Sequence, residues 1–314
     1  MKKESSKKLR VGTLFSGIGA PEQALKRLGI NYEIVFACDN GDITIDYNKD
    51  EEMAKIRSMK SKKEKKEYVD NLYAKKSKKH NYVKESYLAN YDIKEDDFHL
   101  DVNLLDGTDY KNKIDMLIGG SPCQSFSTVG FQGGLEDTRG TLFYEYARII
   151  KETNPKVFIY ENVRGLTTHD KGKTWLIMQE AYKELGYDIY QEILNAEDYG
   201  IPQTRRRLFV VGFRKDLKLQ RTFTFPKKQK LKFYFPDLLI SKVKEGNYIS
   251  QNGQIKLIKE PGDIDPKYIL SPLLKKYVMC EGTKNFKTSL EIDRQIARTV
   301  LSTMGNRHRA GVDN

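Results

Sequence analysis

A chain of 314 residues with 55 Lys and Arg against 43 Asp and Glu, for a formal net charge of +12, is long enough to bury its own core and suits a polyanionic partner through phosphate contacts. Its three cysteines, Cys38, Cys123 and Cys280, are too few and too scattered for a disulfide framework or a tetrahedral metal centre, so no metal is expected and a reducing cytoplasm is the expected compartment. The charged start MKKESSKKLR is not followed by an apolar stretch, and no run of about 18 apolar residues occurs, which argues against export and membrane insertion.

In chain order, LRVGTLF (9–15) reads as a strand running into the glycine-rich SGIGA. PEQALKRLG follows as a helix with Pro21 in its first turn and Gly29 at its close. YEIVFACD reads as a second strand ending at Asp39, which completes a βαβ unit. From residue 49 to about 85 the sequence is dense in Lys and Glu with few apolar positions, and reads as a surface insertion, a solvated helix or mobile loop to which no chemistry is assigned. Alternation resumes with FHLDV (98–102), IDMLIGGS (114–121), KVFIYENV (156–163) and the late pair YDIYQEIL and RLFVVGF, with helices over LFYEYARIIKET and WLIMQEAYKELG. This pattern predicts an α/β fold, a doubly wound and mostly parallel sheet with helices on both faces. After Arg214 the sequence turns Lys-rich, aromatic and poorly periodic, so residues 1–214 are expected to form one domain and 215–314 the start of a second, smaller one.

In open α/β sheets, ligands collect outside the carboxyl ends of the strands, and the notable residues fall there. Phe15-Ser16-Gly17-Ile18-Gly19 ends the first strand, with glycines that let backbone approach a cofactor. Asp39, after the second strand, can accept from ribose hydroxyls, and Asp101, after the next, from an adenine amino group. The sharpest element is Gly119-Gly120-Ser121-Pro122-Cys123-Gln124-Ser125-Phe126-Ser127, which presents a cysteine just past a buried strand and beside a rigid proline. Glu161-Asn162-Val163 ends the following strand and Arg205-Arg206-Arg207 opens the last, so a carboxyl and a guanidinium group can converge on Cys123. That trio suits activation of cytosine. The Cys123 thiolate adds to carbon 6, a protonated Glu161 assists at ring N3, carbon 5 becomes nucleophilic enough to take a methyl group, and Arg205 favours the thiolate and holds the base oxygen O2.

FSGIG, PCQSFS, ENV and QTRRR, in this order and with the linking text GLEDTRGTLF and LNAEDYGIPQ, resemble the motif series of the cytosine-5 DNA methyltransferases from about residue 9 through 214. The resemblance implies a Rossmann-like S-adenosylmethionine-dependent fold, duplex DNA as substrate, base flipping and a place in a restriction-modification system. It also implies that Phe15, Gly17, Ile18, Gly19, Asp39, Asn40, Asp101, Val102, Pro122 and Leu142 line the S-adenosylmethionine site, and that Cys123, Glu161, Arg205 and Arg207 form the catalytic pocket. Two positions depart from the family pattern: Asn40 stands where an aromatic that stacks on adenine is frequent, and Asp39 where Glu is usual. The stretch Ser125 to Thr141, with Gly130, Gly133, Gly134, Gly140 and Arg139, resembles the family's mobile catalytic loop. The region 215–314 would be a partial target-recognition region.

Two later family motifs, an arginine-bearing segment and a Gly-Asn-Ser stretch, are not found, and Met304-Gly305-Asn306 stands too early to replace the second. The expectation is a truncated product, or the larger subunit of a split enzyme whose second polypeptide supplies the remainder. Three other readings compete: a tRNA cytosine-5 methyltransferase, a catalytically silent DNA-binding subunit, and a nucleotide-dependent oxidoreductase. The long region after residue 214 argues against the first, the intact Cys123, Glu161 and Arg205 against the second, and the absence of a full GxGxxG turn against the third.

Overall fold

Val11 to Leu14 are buried in succession, as a strand flanked by parallel neighbours and covered on both faces requires, and they belong to β1 (Leu9–Leu14). Helix α1 (Ala20–Arg27) follows with Pro21 in its first turn, and Gly29 beyond its end takes the left-handed φ of 66° expected of a closing glycine. The computed structural model describes residues 8–122, 142–219, 221–238, 248–251, 254–257, 271–278, 280, 282–283, 286–287 and 294–299. Cys123, the stretch from Ser125 to Thr141 and Met304-Gly305-Asn306 lie outside these residues.

The remaining strands of the sheet are β2 (Tyr32–Cys38), β3 (Phe98–His99), β4 (Met116–Gly119), β5 (Val157–Val163), β6 (Tyr187–Asn195) and β7 (Arg206–Arg214), in the order β3-β2-β1-β4-β5-β7-β6. Within this sheet the described registers are parallel for β1–β2, β1–β4, β2–β3 and β4–β5 and antiparallel for β5–β7. The doubly wound, mostly parallel sheet expected from the sequence is therefore the fold. Order reverses between β1 and β4, the kind of switch point outside which ligands collect in such sheets. The core is aromatic: Phe158 stacks on Tyr182 at 4.6 Å, and beside them Tyr146 and Tyr160 pack against each other at 5.0 Å, all fully buried. Helices α5 (Leu142–Thr153) and α6 (Lys173–Glu184) supply Tyr146 and Tyr182.

The lysine-rich insertion is helical, one of the two forms expected, but it is not solvated on every face. It folds into α2 (Lys49–Ser58), α3 (Lys62–Lys76) and α4 (Tyr82–Asn90), the first two capped by the side chains of Asn48 and Ser61. Met53 and Ile56 on α2 meet Val69 and Tyr73 on α3 in an apolar cluster that also takes Ile43, Ile45 and Leu104. Few apolar residues are present, but they share helix faces at three- and four-residue spacing. Some of the lysines reach carboxylates outside the segment: Lys65 pairs with Asp106 and Asp109 at 2.6 and 2.9 Å, Lys62 with Asp97, and Lys49 with Glu145, while Lys55, Lys63 and Lys66 pair within it.

Contacts group Met1–Ile193 with Arg207–Phe225 as one compact unit and Leu194–Arg206 with Pro226–Asn314 as another. Within the second, Gln203 and Ala297 form a parallel bridge, with Thr204 N donating to Ala297 O at 2.8 Å. It also holds the hairpin β8–β9 (Tyr248–Gln251, Gln254–Leu257), the short α7 (Pro272–Val278) and the pair β10–β11 (Gly282–Thr283, Phe286–Lys287). No helix among the described residues is long and apolar enough to cross a membrane.

At the amino ends of the strands, Asp115 joins β1 to β4 and β5. Its Oδ2 accepts from Arg10 N and Nε at 3.1 and 3.0 Å, its Oδ1 from Lys156 Nζ at 2.9 Å, and its carbonyl from Val157 N. The hydrogen bond from Arg10, supported by Lys156 and only partly opposed by burial, holds this carboxyl well below the usual carboxylate range. A depressed carboxyl stabilises the fold at pH values above its unfolded value, near ~3.9, and loses that contribution as pH falls toward its folded value. Asp115→Asn is expected to lower stability by about 2 kcal/mol at pH 7, since it strips two cations of a largely buried partner. The difference from wild type, followed by urea unfolding, should shrink steadily below about pH 4.

Candidate active site

Outside the carboxyl ends of β1, β2 and β3 lies a cleft of about 410 Å³, within the ~300–1,000 Å³ range of small-molecule sites. Seven of the ten residues expected at a cofactor line it: Phe15, Asp39, Asn40, Asp101, Val102, Pro122 and Leu142. Gly17, Ile18 and Gly19 are outside the lining, and Ile18 is 66% exposed. Gly17 is nevertheless tied to the cleft, its N–H donating to Asp39 Oδ2 at 2.8 Å while Gly41 N–H donates to Oδ1 at 2.8 Å. Each Asp39 oxygen keeps a lone pair for a further donor. Phe15 takes the left-handed φ of 53°, a sparsely populated conformation for a side chain of its size, which turns the chain from β1 into the glycine loop.

Asp101 is 7% exposed and its carboxylate is surrounded by donors. Tyr73 OH reaches Oδ2 at 2.8 Å and Tyr47 OH the same atom, while Asn103 offers both its backbone N–H and its side-chain amide to Oδ1 at 2.9 Å. Burial, followed by the charge of Asp101, pushes both tyrosine hydroxyls well above their ordinary value, so both remain protonated donors. Arg148 on α5 clamps the turn below, giving Nη1 to Leu105 O at 2.9 Å and Nη2 to Val102 O at 2.6 Å. Two carboxylates suited to hydroxyl or amino donors, with apolar walls from Phe15, Val102, Pro122 and Leu142, fit an adenosine-bearing cofactor such as S-adenosylmethionine.

Glu161 and Arg207 are brought together. Glu161 stands opposite Phe209 in the β5–β7 pairing, so Arg207 lies diagonally across on the same face, and its Nε meets Glu161 Oε1 at 2.9 Å. Gly120 sits against them: a Cβ there would come 2.6 Å from Glu161 O and 2.9 Å from its Oε2. Asn162 faces the opposite way, 2% exposed, and donates its amide to Ser121 O at 3.0 Å and Tyr160 OH at 2.8 Å. It thereby fixes the backbone that leads to Pro122. Arg205 belongs to the second unit, where its N–H donates to Asn195 Oδ1 at 2.9 Å and its carbonyl accepts from Ala196 N–H at 3.1 Å. Cys123 is outside the described residues; Cys38 is buried and burial pushes its thiol well up, so it is a packing residue and no nucleophile.

Sequence reasoning missed Tyr47, Tyr73 and Asn162. Asn162 was visible inside ENV, but its role emerges only from the fold, which brings Ser121 within reach of its amide. The signal for Tyr73 was its four-residue spacing from Val69 within an otherwise charged stretch.

Sheet order, the antiparallel β7 and the carboxylate-lined cleft together define a Rossmann-like methyltransferase fold. The chain belongs to the C-5 cytosine-specific DNA methylase family, whose description matches residues 9–285. It is similar to the orphan methyltransferase M.SPRI of Bacillus phage SPR, 36% identical over 273 residues that cover 84% of this chain and 52% of that protein. It is similar also to the type II methyltransferase M.HhaI of Haemophilus parahaemolyticus, 42% identical over 51% of this chain and 47% of that one. The chain thus spans about half the length of these curated relatives. Among solved structures, a prophage-encoded protein from E. coli assigned as a DNA modification methyltransferase shares the fold, with a TM-score of 0.55 at 19% identity, over 93% of this chain and 82% of that one.

The crowding around Gly120 is directly testable. Gly120→Ala should cost about 1–3 kcal/mol in urea unfolding, because the added methyl meets backbone rather than a movable side-chain tip. Gly17→Ala, with open space around the new carbon, should cost no more than about 1–2 kcal/mol, from its left-handed φ alone.

Proposed function

We propose that this chain transfers a methyl group from S-adenosylmethionine to carbon 5 of cytosine in duplex DNA, as a modification enzyme of the restriction-modification type. The observation that carries this reading is the Glu161–Arg207 pair on β5 and β7, packed against the Gly120 turn that leads through Pro122 to Cys123. The family assignment and the carboxylate-lined cleft beside that turn support it.

In this reading the target cytosine is flipped out of the helix, since stacking shields the faces of the ring. The Cys123 thiolate adds to carbon 6 and the ring electrons move toward carbon 5. Glu161 delivers a proton to ring N3 as that bond forms, and Arg207, whose Nε lies 2.9 Å from Glu161 Oε1, stabilises the carboxylate that results. S-adenosylmethionine, when bound, supplies an electrophilic methyl group to carbon 5. A water molecule acting as base takes the carbon 5 proton, the Cys123 sulfur leaves carbon 6 as a thiolate, and the N3 proton returns to Glu161, which restores the aromatic ring and the free enzyme. Arg205 holds the base oxygen O2. Asp39 and Asp101 receive the ribose hydroxyls and the adenine amino group, with Gly17, Ile18 and Gly19 shaping the turn above them. Residues 215–314 contribute to DNA reading as part of a target-recognition region, which the net charge of +12 favours electrostatically.

Cys123→Ser is expected to abolish both methyl transfer to duplex DNA and the covalent adduct with DNA containing 5-fluorocytosine. Undiminished transfer by that variant would exclude the mechanism. Glu161→Gln should slow turnover by about 10²–10⁴-fold while leaving the binding of S-adenosylhomocysteine, read by calorimetry, near its wild-type value.

A further inference from the structure

The segment between β2 and β3 does more than decorate the sheet. Three of its tyrosines reach the apparatus around the cleft. Tyr73, from α3, and Tyr47, from the loop before α2, both donate to Asp101 Oδ2 and both line the cleft. Tyr91, at the end of α4, donates to Gly19 O at 2.6 Å in the turn after β1. Tyr73 is itself buried in the cluster formed with Met53, Ile56 and Val69, so its hydroxyl is placed by the packing of α2 on α3.

Every group facing the Asp101 carboxylate is a donor: two phenol hydroxyls on one oxygen, a backbone N–H and an amide on the other. Such a carboxylate is held as an acceptor, in one orientation, with about four lone-pair sites satisfied. A ligand that gives it a hydrogen bond can take the place of the half-buried Tyr47 hydroxyl, whereas a ligand carbonyl would face an anion. Tyr73, buried deeper, keeps the carboxylate from turning during that exchange.

We propose that Tyr73, supplied by the lysine-rich insertion, is a positioning residue that sets the preference of the cleft for a 6-aminopurine over a 6-oxopurine by fixing the acceptor geometry of Asp101. This rests on the reading of the cleft as the S-adenosylmethionine site. The insertion thereby acquires a function, because α2 and α3 form the scaffold of one purine-selecting contact, and filling the cleft should steady α3.

The test compares the binding of S-adenosylhomocysteine and its 6-oxo counterpart S-inosylhomocysteine by calorimetry, using the full chain as wild type, Tyr73→Phe and Asp101→Asn. Wild type should prefer the adenosyl compound by at least about a hundredfold. Tyr73→Phe, which keeps the ring and removes only the hydroxyl, should cut that preference by about tenfold, chiefly by weakening the adenosyl compound. Hydrogen exchange on the wild-type protein should show residues 62–76 protected when S-adenosylhomocysteine binds, a readout that needs no variant to fold. A wild-type preference in Tyr73→Phe alongside its loss in Asp101→Asn would overturn the inference and leave the cofactor site standing. An unchanged preference in both variants would overturn the assignment of the cleft itself, and unaltered exchange in α3 would overturn the coupling to the insertion.

Discussion

A carboxylate withdrawn from water keeps its charge only where donors replace the lost solvent, and Asp101 imposes that demand on the whole carboxyl edge of the sheet. Its two oxygens draw together the loop after β2, helix α3 and the turn after β3, which are far apart in sequence. The turn is clamped in its place by Arg148, whose guanidinium is also held by Glu145 and Glu152 at 2.8 Å on α5. The wall of the cleft is therefore a continuous polar network anchored in a helix on one side and an insertion on the other. Networks of this kind fix one arrangement because a half-satisfied version would leave a buried charge exposed to apolar surroundings.

The opposite ends of the strands are arranged for a different purpose. Asp115, with Arg10 and Lys156, pins β1, β4 and β5 to one another where no ligand is expected, while the aromatic layer of Phe158, Tyr160 and Tyr182 fills the space between. Gly120 lies against Glu161, and Glu161 reaches diagonally to Arg207. The side chains proposed to carry chemistry, Glu161 and Arg207, stand on strands, which keeps small displacements from their relative position.

Periodicity located most of the scaffold. The stretch LFYEYARIIKET coincides with α5, and KVFIYENV with β5 to within a residue. FHLDV was expected to be a strand throughout, yet only Phe98 and His99 pair, because the Asp101 side chain accepts from Asn103 N–H and captures the chain into a tight turn. The insertion escaped sequence reasoning for a related reason. Lys62 and Lys65 find carboxylates at Asp97, Asp106 and Asp109, beyond the segment, and composition within a window carries no record of distant partners. For the cleft, the positions of Asp39, Asp101 and Phe15 at strand ends were legible because topology alone dictates where a ligand can sit. The tyrosines that orient Asp101 were not, since a hydroxyl directed inward from α3 looks in the sequence like any other apolar ring on a helix.

Pro122 and Leu142 flank the stretch that carries Cys123, and both face the same cleft. A span of chain with both feet on one small-molecule cavity feels its occupancy at each foot. In the proposed reading, an occupant of the cavity touches the chain at Pro122 and at Leu142 at once, and so bears on both ends of the segment that carries the proposed nucleophile.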